Sequence, residues 1–183
     1  MLSNNLLIQG IGFLGTVLYF ISFQCRDNRN LFRVQFLSYL FYTVHLILLG
    51  AVTGGISYMI NIIRSFCLGS SYKPAHTKTM CAVICLMQVA ALFFTWSGWL
   101  SVLPVAANIA ATIAGYTHSA TKVRMVGMLV NSPLWIVYNM IVGSWAGILD
   151  EAVSEVSMIV SIIRYGWRNL DSASHDATEH NLT

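Results

Sequence analysis

Apolar residues run along this chain in long blocks, and polar clusters separate the blocks at regular intervals. The blocks predict membrane-spanning helices at 6–23, 31–50, 52–69, 80–96, 99–116, 123–143 and 146–166. The fourth and fifth share one run, 80–116, which holds 37 residues without Lys, Arg, Asp or Glu. A bilayer core takes about 20 helical residues per crossing, so this run predicts two helices broken at Ser97-Gly98. Polar turns follow the first span (QCRDNRN, 24–30) and the third (SSYKPAHTKT, 70–79). Pro133 lies inside the sixth span and predicts a kink there. The end of the chain, DSASHDATEHNLT at 171–183, is polar and predicts a disordered tail. The expected fold class is all-α integral membrane, with seven transmembrane helices in a single domain over 1–170.

Two of the spans carry a second pattern. GGISYMINIIR at 54–64 returns as SEVSMIVSIIR at 154–164. At an offset of 100, Gly54 answers Ser154, Ser57 answers Ser157, Asn61 answers Ser161 and Arg64 answers Arg164. Steps of 3, 4 and 3 residues put each set on one helix face. Lipid offers such a stripe no hydrogen-bond partner, so it must face protein or water. The correspondence extends to spans 2 and 6. At an offset of 93, Ser38 answers Asn131, Tyr42 answers Trp135, His45 answers Tyr138 and Gly50 answers Gly143. The second half therefore carries 100 − 93 = 7 extra residues, expected within 144–151. Spans 1–3 thus match spans 5–7. Two such units in one orientation need a connecting helix, which span 4 supplies. The expected plan is two parallel three-helix repeats, 5–69 and 99–166, joined by a linker helix at 80–96.

Composition and charge agree with a membrane protein and give it an orientation. The chain is 56% hydrophobic and 9% charged, against about 25% charged in soluble domains. All ten Lys and Arg fall in alternate loops or at the ends that border them. The positive-inside rule makes that side cytoplasmic, with the N-terminus outside and the C-terminus and its tail inside. Removing any interior span would scatter the basic residues to both sides. A net charge of +3 without a basic run argues against a nucleic-acid partner. The N-terminus lacks a positive n-region, so the first span is expected to stay uncleaved. Cys81 and Cys85 are four apart with no histidine or carboxylate between them. They are expected to be small core residues, so no metal and no cofactor is expected. No enzyme motif is present, and catalysis is not expected.

The candidate solute-binding residues are Asn61 and Ser161, with Ser57, Ser157, Asn108 and Asn131. Asn61 lies about nine residues into span 3, roughly 14 Å down the helix and near the midplane. It is expected to face Ser161 across a central cavity. The alternative is a helix-pairing hydrogen bond, worth about 0.6 kcal/mol. Ser57, Ser154 and Ser157 also suit close helix packing. Arg64 and Arg164 are expected to anchor at the cytoplasmic interface by snorkelling, with an inner gate as the alternative. Glu155 is the candidate proton-coupling group, unless it lies at the interface. His45 is expected to be a satisfied interfacial side chain. Trp96, Trp99 and Trp145 mark the outer aromatic belt.

The runs VHLILLG (44–50), NIIR (61–64) and VLPVAANIAATIAGY (102–116) resemble the YgjV-type bacterial inner-membrane proteins. The resemblance implies a multi-pass location in the bacterial inner membrane. The three-plus-one-plus-three plan is also similar to the SWEET and PQ-loop transporters. There each half carries a Pro-Gln at the end of its first helix and a solute-lining asparagine in its third. Phe23-Gln24 and Gly115-Tyr116 stand where the Pro-Gln pairs would be. Asn61 fits the first asparagine, and Ser161 stands in place of the second. The repeat around a polar stripe favours a transporter or facilitator for a small polar solute, with the lipid bilayer as its other partner. A homo-oligomer stays open. The alternative is a receptor or accessory protein of the same fold that binds without transport.

Overall fold

The computed structural model describes residues 2–25, 28–70 and 77–166. Arg26, Lys73, Arg168 and the expected tail lie outside the described residues. No strand occurs among the described residues. The helices are α1 (Leu2–Gln24), α2 (Asn28–Leu48), α3 (Val52–Ser70), α4 (Thr77–Phe94), α5 (Val102–Gly115), α6 (Ala120–Val126), α7 (Ser132–Val142) and α8 (Trp145–Tyr165). A short 3₁₀ turn, Trp99–Ser101, leads into α5. The break expected at Ser97-Gly98 is there: α4 stops at Phe94 and Gly98 turns the chain back. Each helix closes its own backbone hydrogen bonds, the condition for a segment surrounded by hydrocarbon.

By length and composition four segments can cross a membrane: Leu6–Gln24, Arg29–Leu48, Thr77–Phe94 and Ala120–Val142. Trp99–Gly115 is a shorter apolar helix. The helices α3 and α8 are long enough, at 19 and 21 residues. Their polar stripes lower their mean hydropathy, yet those stripes are buried in protein. Gly54, Ser57, Asn61 and Arg64 on α3 are buried, as are Ser154, Ser157 and Ser161 on α8. Outward-facing positions are apolar instead, including Phe66 and Met59 on α3 and Ile163 and Val156 on α8. The bundle is therefore polar inside and apolar outside. Trp96, Trp99 and Trp145 are exposed, as belt residues should be.

Pro133 does more than kink its span. The segment divides into α6, a π turn at Gly127–Asn131, and α7 with the proline in its first turn. A proline has no N–H to return to the preceding turn, so the ladder widens there. This widening lies next to Asn131, which points inward.

The helices follow one another round a closed path. Helix α1 packs on α2 and α8, α2 on α3, α3 on α5, α5 on α7, and α7 on α8. Helix α4 packs on α3 and α5 and lies outside that path. Aromatic rings fill the middle. Tyr58 stacks on Tyr42 at 5.3 Å and meets Trp135 at 4.6 Å. Tyr42 and Trp135 are the two positions related by the 93-residue offset.

Two turns close alike. Gly50 and Gly143 take left-handed φ of 77° and 73°. After each, the next N–H reaches back five residues, from Ala51 to the Leu46 carbonyl and from Ser144 to the Asn139 carbonyl, both at 2.9 Å. Only glycine adopts this φ without a Cβ clash. Ser144 is fully buried, whereas its neighbour Trp145 is exposed.

Two predictions follow from these elements. Gly50→Ala and Gly143→Ala should each cost about 1–2 kcal/mol, seen as a lower melting temperature in detergent. An unchanged melting temperature contradicts the turn assignment. In a cysteine-free background, Trp145→Cys should react with an impermeant thiol reagent in intact spheroplasts. Thr117→Cys, in the α5–α6 connection, should react only after lysis. The reverse pattern rejects the orientation given by the basic residues.

Candidate functional site: a polar cavity at the helix centre

The centre of the bundle encloses a small cavity. Its space for a water-sized sphere is about 10 Å³, room for about one water. Helix α3 contributes Tyr58, Asn61 and Arg64; α5 contributes Asn108 and Ala111. Tyr19, Tyr39, Asn131 and Trp135 come from α1, α2, the π turn and α7. The polar stripe of α3 therefore faces the centre, and Asn131 joins it through the π turn.

A chain of amides leads to the cavity. Gln88 on α4 is fully buried; its Nε2 donates to the Ser57 carbonyl at 3.2 Å and to Asn61 Oδ1 at 3.4 Å. Asn61 Nδ2 in turn donates to Asn108 Oδ1 at 2.8 Å. Asn108 Nδ2, at the end of the relay, has no protein partner. Asn131 Oδ1 and the Ser57 hydroxyl are likewise buried without one. Buried polar groups are almost always satisfied, so this density of unpartnered groups marks the site.

Arg64 does not snorkel. It is 3% exposed, and its guanidinium lies within the bundle. Nη2 donates to the Tyr39 hydroxyl at 3.0 Å and Nη1 to Thr112 Oγ1 at 3.5 Å. Both hydroxyls send their own protons elsewhere: Tyr39 to Gln35 Oε1, and Thr112 to the Asn108 carbonyl. Their lone pairs are thus held toward the cation. The guanidinium carbon also lies 5.7 Å from the Tyr39 ring centre, within cation–π range. Arg164, its partner in the 100-residue correspondence, is exposed. The two arginines therefore occupy different environments despite their matching sequence positions. Around Arg164, Ile163 is also exposed, whereas α3 at Arg64 is still enclosed by α2 and α5.

Ser161 meets a different arginine. Arg124 on α6 is fully buried, and its Nε donates to Ser161 Oγ at 3.1 Å. Ser157 accepts from Gln24 Nε2 at 2.7 Å. Asn61 is thus brought to Asn108 and Gln88, while Ser161 and Ser157 are brought to Arg124 and Gln24. Ser161 does not line the cavity. Gln24, at the end of α1, thus ties α1 to α8.

The helices are also tied near the start of α8. His45 is fully buried; one ring nitrogen meets the Ile8 carbonyl and the other Ser144 Oγ, both at 2.8 Å. Ser144 also caps α8 by accepting from the Gly147 N–H at 3.0 Å. Tyr138, the counterpart of His45, accepts from the Gly54 N–H at 3.1 Å. His45 thus ties α2 to the start of α8, and Tyr138 ties α7 to α3. His45 is satisfied, as expected, but in the interior rather than at an interface.

The acidic residues of α8 correct the expectation of depth. Asp150 and Glu151 are each 2% exposed, whereas Glu155 is only partly buried. The helix begins at Trp145, so all three lie in its first three turns and orientation decides. Asp150 and Glu151 face α1, α2 and α7, and Glu155 is turned toward their edge. Asp150 lies near Tyr42, and Glu151 and Glu155 lie near Ser132. One oxygen of Asp150 and one of Glu151 have no partner, nor does the Ser154 hydroxyl.

The sequence patterns missed Gln88, Thr112, Tyr39 and Arg124. Gln88 had a signal: a primary amide in the long uncharged run 80–116 is costly in lipid unless it faces protein. Arg124 looked like one more loop cation and is distinguishable only by its helix phase. Cys81 and Cys85 are half-buried rather than core residues, and all four cysteines are free.

A family model described as Imp-YgjV, bacterial inner membrane protein, matches residues 6–169. No curated protein and no solved structure matches the chain.

Removing the middle of the amide relay tests its role. Asn61→Leu strands Gln88 and Asn108 at once and should cost about 1–3 kcal/mol. Asn61→Asp keeps the acceptor for Gln88 but loses the donor to Asn108, and should destabilise less. Thermal unfolding in detergent measures both. Equal and negligible effects would mean that the relay is not formed.

Proposed function

We propose, for a chain that belongs to the Imp-YgjV family of bacterial inner membrane proteins, that it carries a small polar solute across that membrane through its central cavity. The observation that carries this reading is the set of buried, unpartnered polar atoms at Arg64, Asn108 and Asn131 around one enclosed space. Packing alone would favour an apolar or fully paired interior. Groups left unpaired at a shared space suit a guest that completes them.

The reading takes all seven helical rods as spans and the two halves as parallel repeats. The like closures at Gly50 and Gly143 support it. So do the exchanged ties of His45 to α8 and Tyr138 to α3. At about 10 Å³ the cavity is occluded. Transport then requires the halves to part in turn at two ends, one held by His45 and Ser144 and the other by Gln24 and Ser157. These ties are single hydrogen bonds, each worth about 1 kcal/mol net, which suits contacts that must break and re-form.

If transport is coupled to protons, the coupling group is Asp150 or Glu151 rather than Glu155. A coupling carboxyl has to be shielded from lipid and bulk water and adjoin the moving helices. The two buried acids meet that condition on α8, beside α1, α2 and α7.

Purified protein in liposomes should accelerate entry of its solute, and Asn61→Ala should slow entry at least about tenfold, a barrier change of about 1.4 kcal/mol. Saturable binding without entry would favour the receptor reading. In the transporting protein, Glu151→Gln should flatten the pH profile and Glu155→Gln should leave it unchanged. A flat profile in Glu155→Gln alone returns the role to Glu155.

A further inference from the structure

Arg64 is a buried cation without a carboxylate. It makes no ion pair with any described residue. The buried acids Asp150 and Glu151 lie near Tyr42 and Ser132 and form no ion pair with Arg64. A charge buried in a membrane protein normally finds a counter-charge or faces a functional path. Here Tyr39 and Thr112 occupy Nη2 and Nη1, and the Nε–H has no protein partner. The second unpartnered donor lining the same cavity is Asn108 Nδ2, at the end of the relay from Gln88 through Asn61. The direction of that relay matters. Gln88 donates to Asn61 and Asn61 donates to Asn108, so the amide left over at the cavity is a donor. Two donors, one of them cationic, converge on one space.

From this geometry we infer that the solute of the proposed transport is a small carboxylate, held by Arg64 Nε and Asn108 Nδ2. A carboxylate takes two N–H donors on its two oxygens, the arrangement that guanidinium edges favour. A neutral polyol would leave the Arg64 charge uncompensated. A cation would be repelled by it. Asn131 Oδ1, the acceptor at the same cavity, suits a hydroxyl or protonated amine elsewhere on the carboxylate. The inference rests on the transport reading above and narrows it to one chemical class.

The test uses the full chain in nanodiscs, with sodium acetate, sodium lactate, sodium chloride, sodium nitrate and glucose at equal ionic strength. Acetate or lactate should raise the melting temperature saturably and above the effect of chloride and nitrate. Arg64→Gln should weaken that binding at least tenfold, and Arg64→Lys should retain part of it. Should Arg64→Gln fail to fold, Asn108→Asp serves in its place. It sets a carboxylate on the cavity wall beside Arg64, and should abolish acetate or lactate binding while raising the melting temperature. Equal shifts from chloride and acetate overturn the carboxylate assignment, as does full binding in either variant. Binding or liposome entry of glucose, with no effect of any anion, overturns the inference and leaves the transport reading standing. If no solute binds and none enters liposomes, the transport reading itself fails and takes the inference with it.

Discussion

Hydrocarbon accepts no hydrogen bond, and the arrangement of this protein follows from that constraint. In water a chain buries its apolar residues. Here the outer surface can be apolar throughout, so burial selects for polar side chains that would otherwise face lipid. The interior accordingly holds Asn61, Arg64, Gln88, Asn108, Arg124, Asp150 and Glu151 beside a cluster of tyrosines and one tryptophan. Helix association then depends on hydrogen bonds and close packing rather than on water release. Most of the long-range ties have that form: Gln88 to Asn61 to Asn108, Arg124 to Ser161, Gln24 to Ser157, His45 to Ser144 and Thr16 to Tyr42.

The same constraint separates the satisfied network from the unsatisfied one. Arg124 bonds Ser161 and the Ala120 carbonyl within its own surroundings, so its charge is well solvated by the protein. His45 uses both ring nitrogens. These groups hold helices together. Around the central cavity the bonds stop one short, at Arg64 Nε, Asn108 Nδ2 and Asn131 Oδ1. In the proposed reading, the gathering of such groups round one space, rather than their polarity, sets the candidate site apart from the structural ties.

The helices were legible in the sequence because their apolar blocks are long and their breaks are chemical. The break at Ser97-Gly98 and the glycine turns at 50 and 143 needed no tertiary information. The inward faces of α3 and α8 were legible too, since the stripe spacing fixes a helix face. What lies opposite each stripe was not. Asn61 and Ser161 occupy matching positions, yet one meets an asparagine of α5 and the other an arginine of α6. The 100-residue correspondence fixes a helix face, whereas the partner depends on which helix packs there, α5 against α3 and α6 against α8. Arg64 and Arg164 diverge for the same reason. Depth along α8 misled as well: Glu155 is further from the helix start than Glu151, but the helix phase turns Glu151 inward and Glu155 toward the edge.

The central claim is that the cavity beside Arg64 and Asn108 opens to water during function. Ala111 lines that cavity from α5 without taking part in the amide relay. The direct measurement is the rate at which Ala111→Cys, in an otherwise cysteine-free protein in native membranes, reacts with a small water-soluble methanethiosulfonate. The account predicts a measurable rate, well above that of a lipid-facing control such as Ile163→Cys. No reaction at Ala111→Cys from either side of the membrane would mean that the cavity never opens, and would contradict the account.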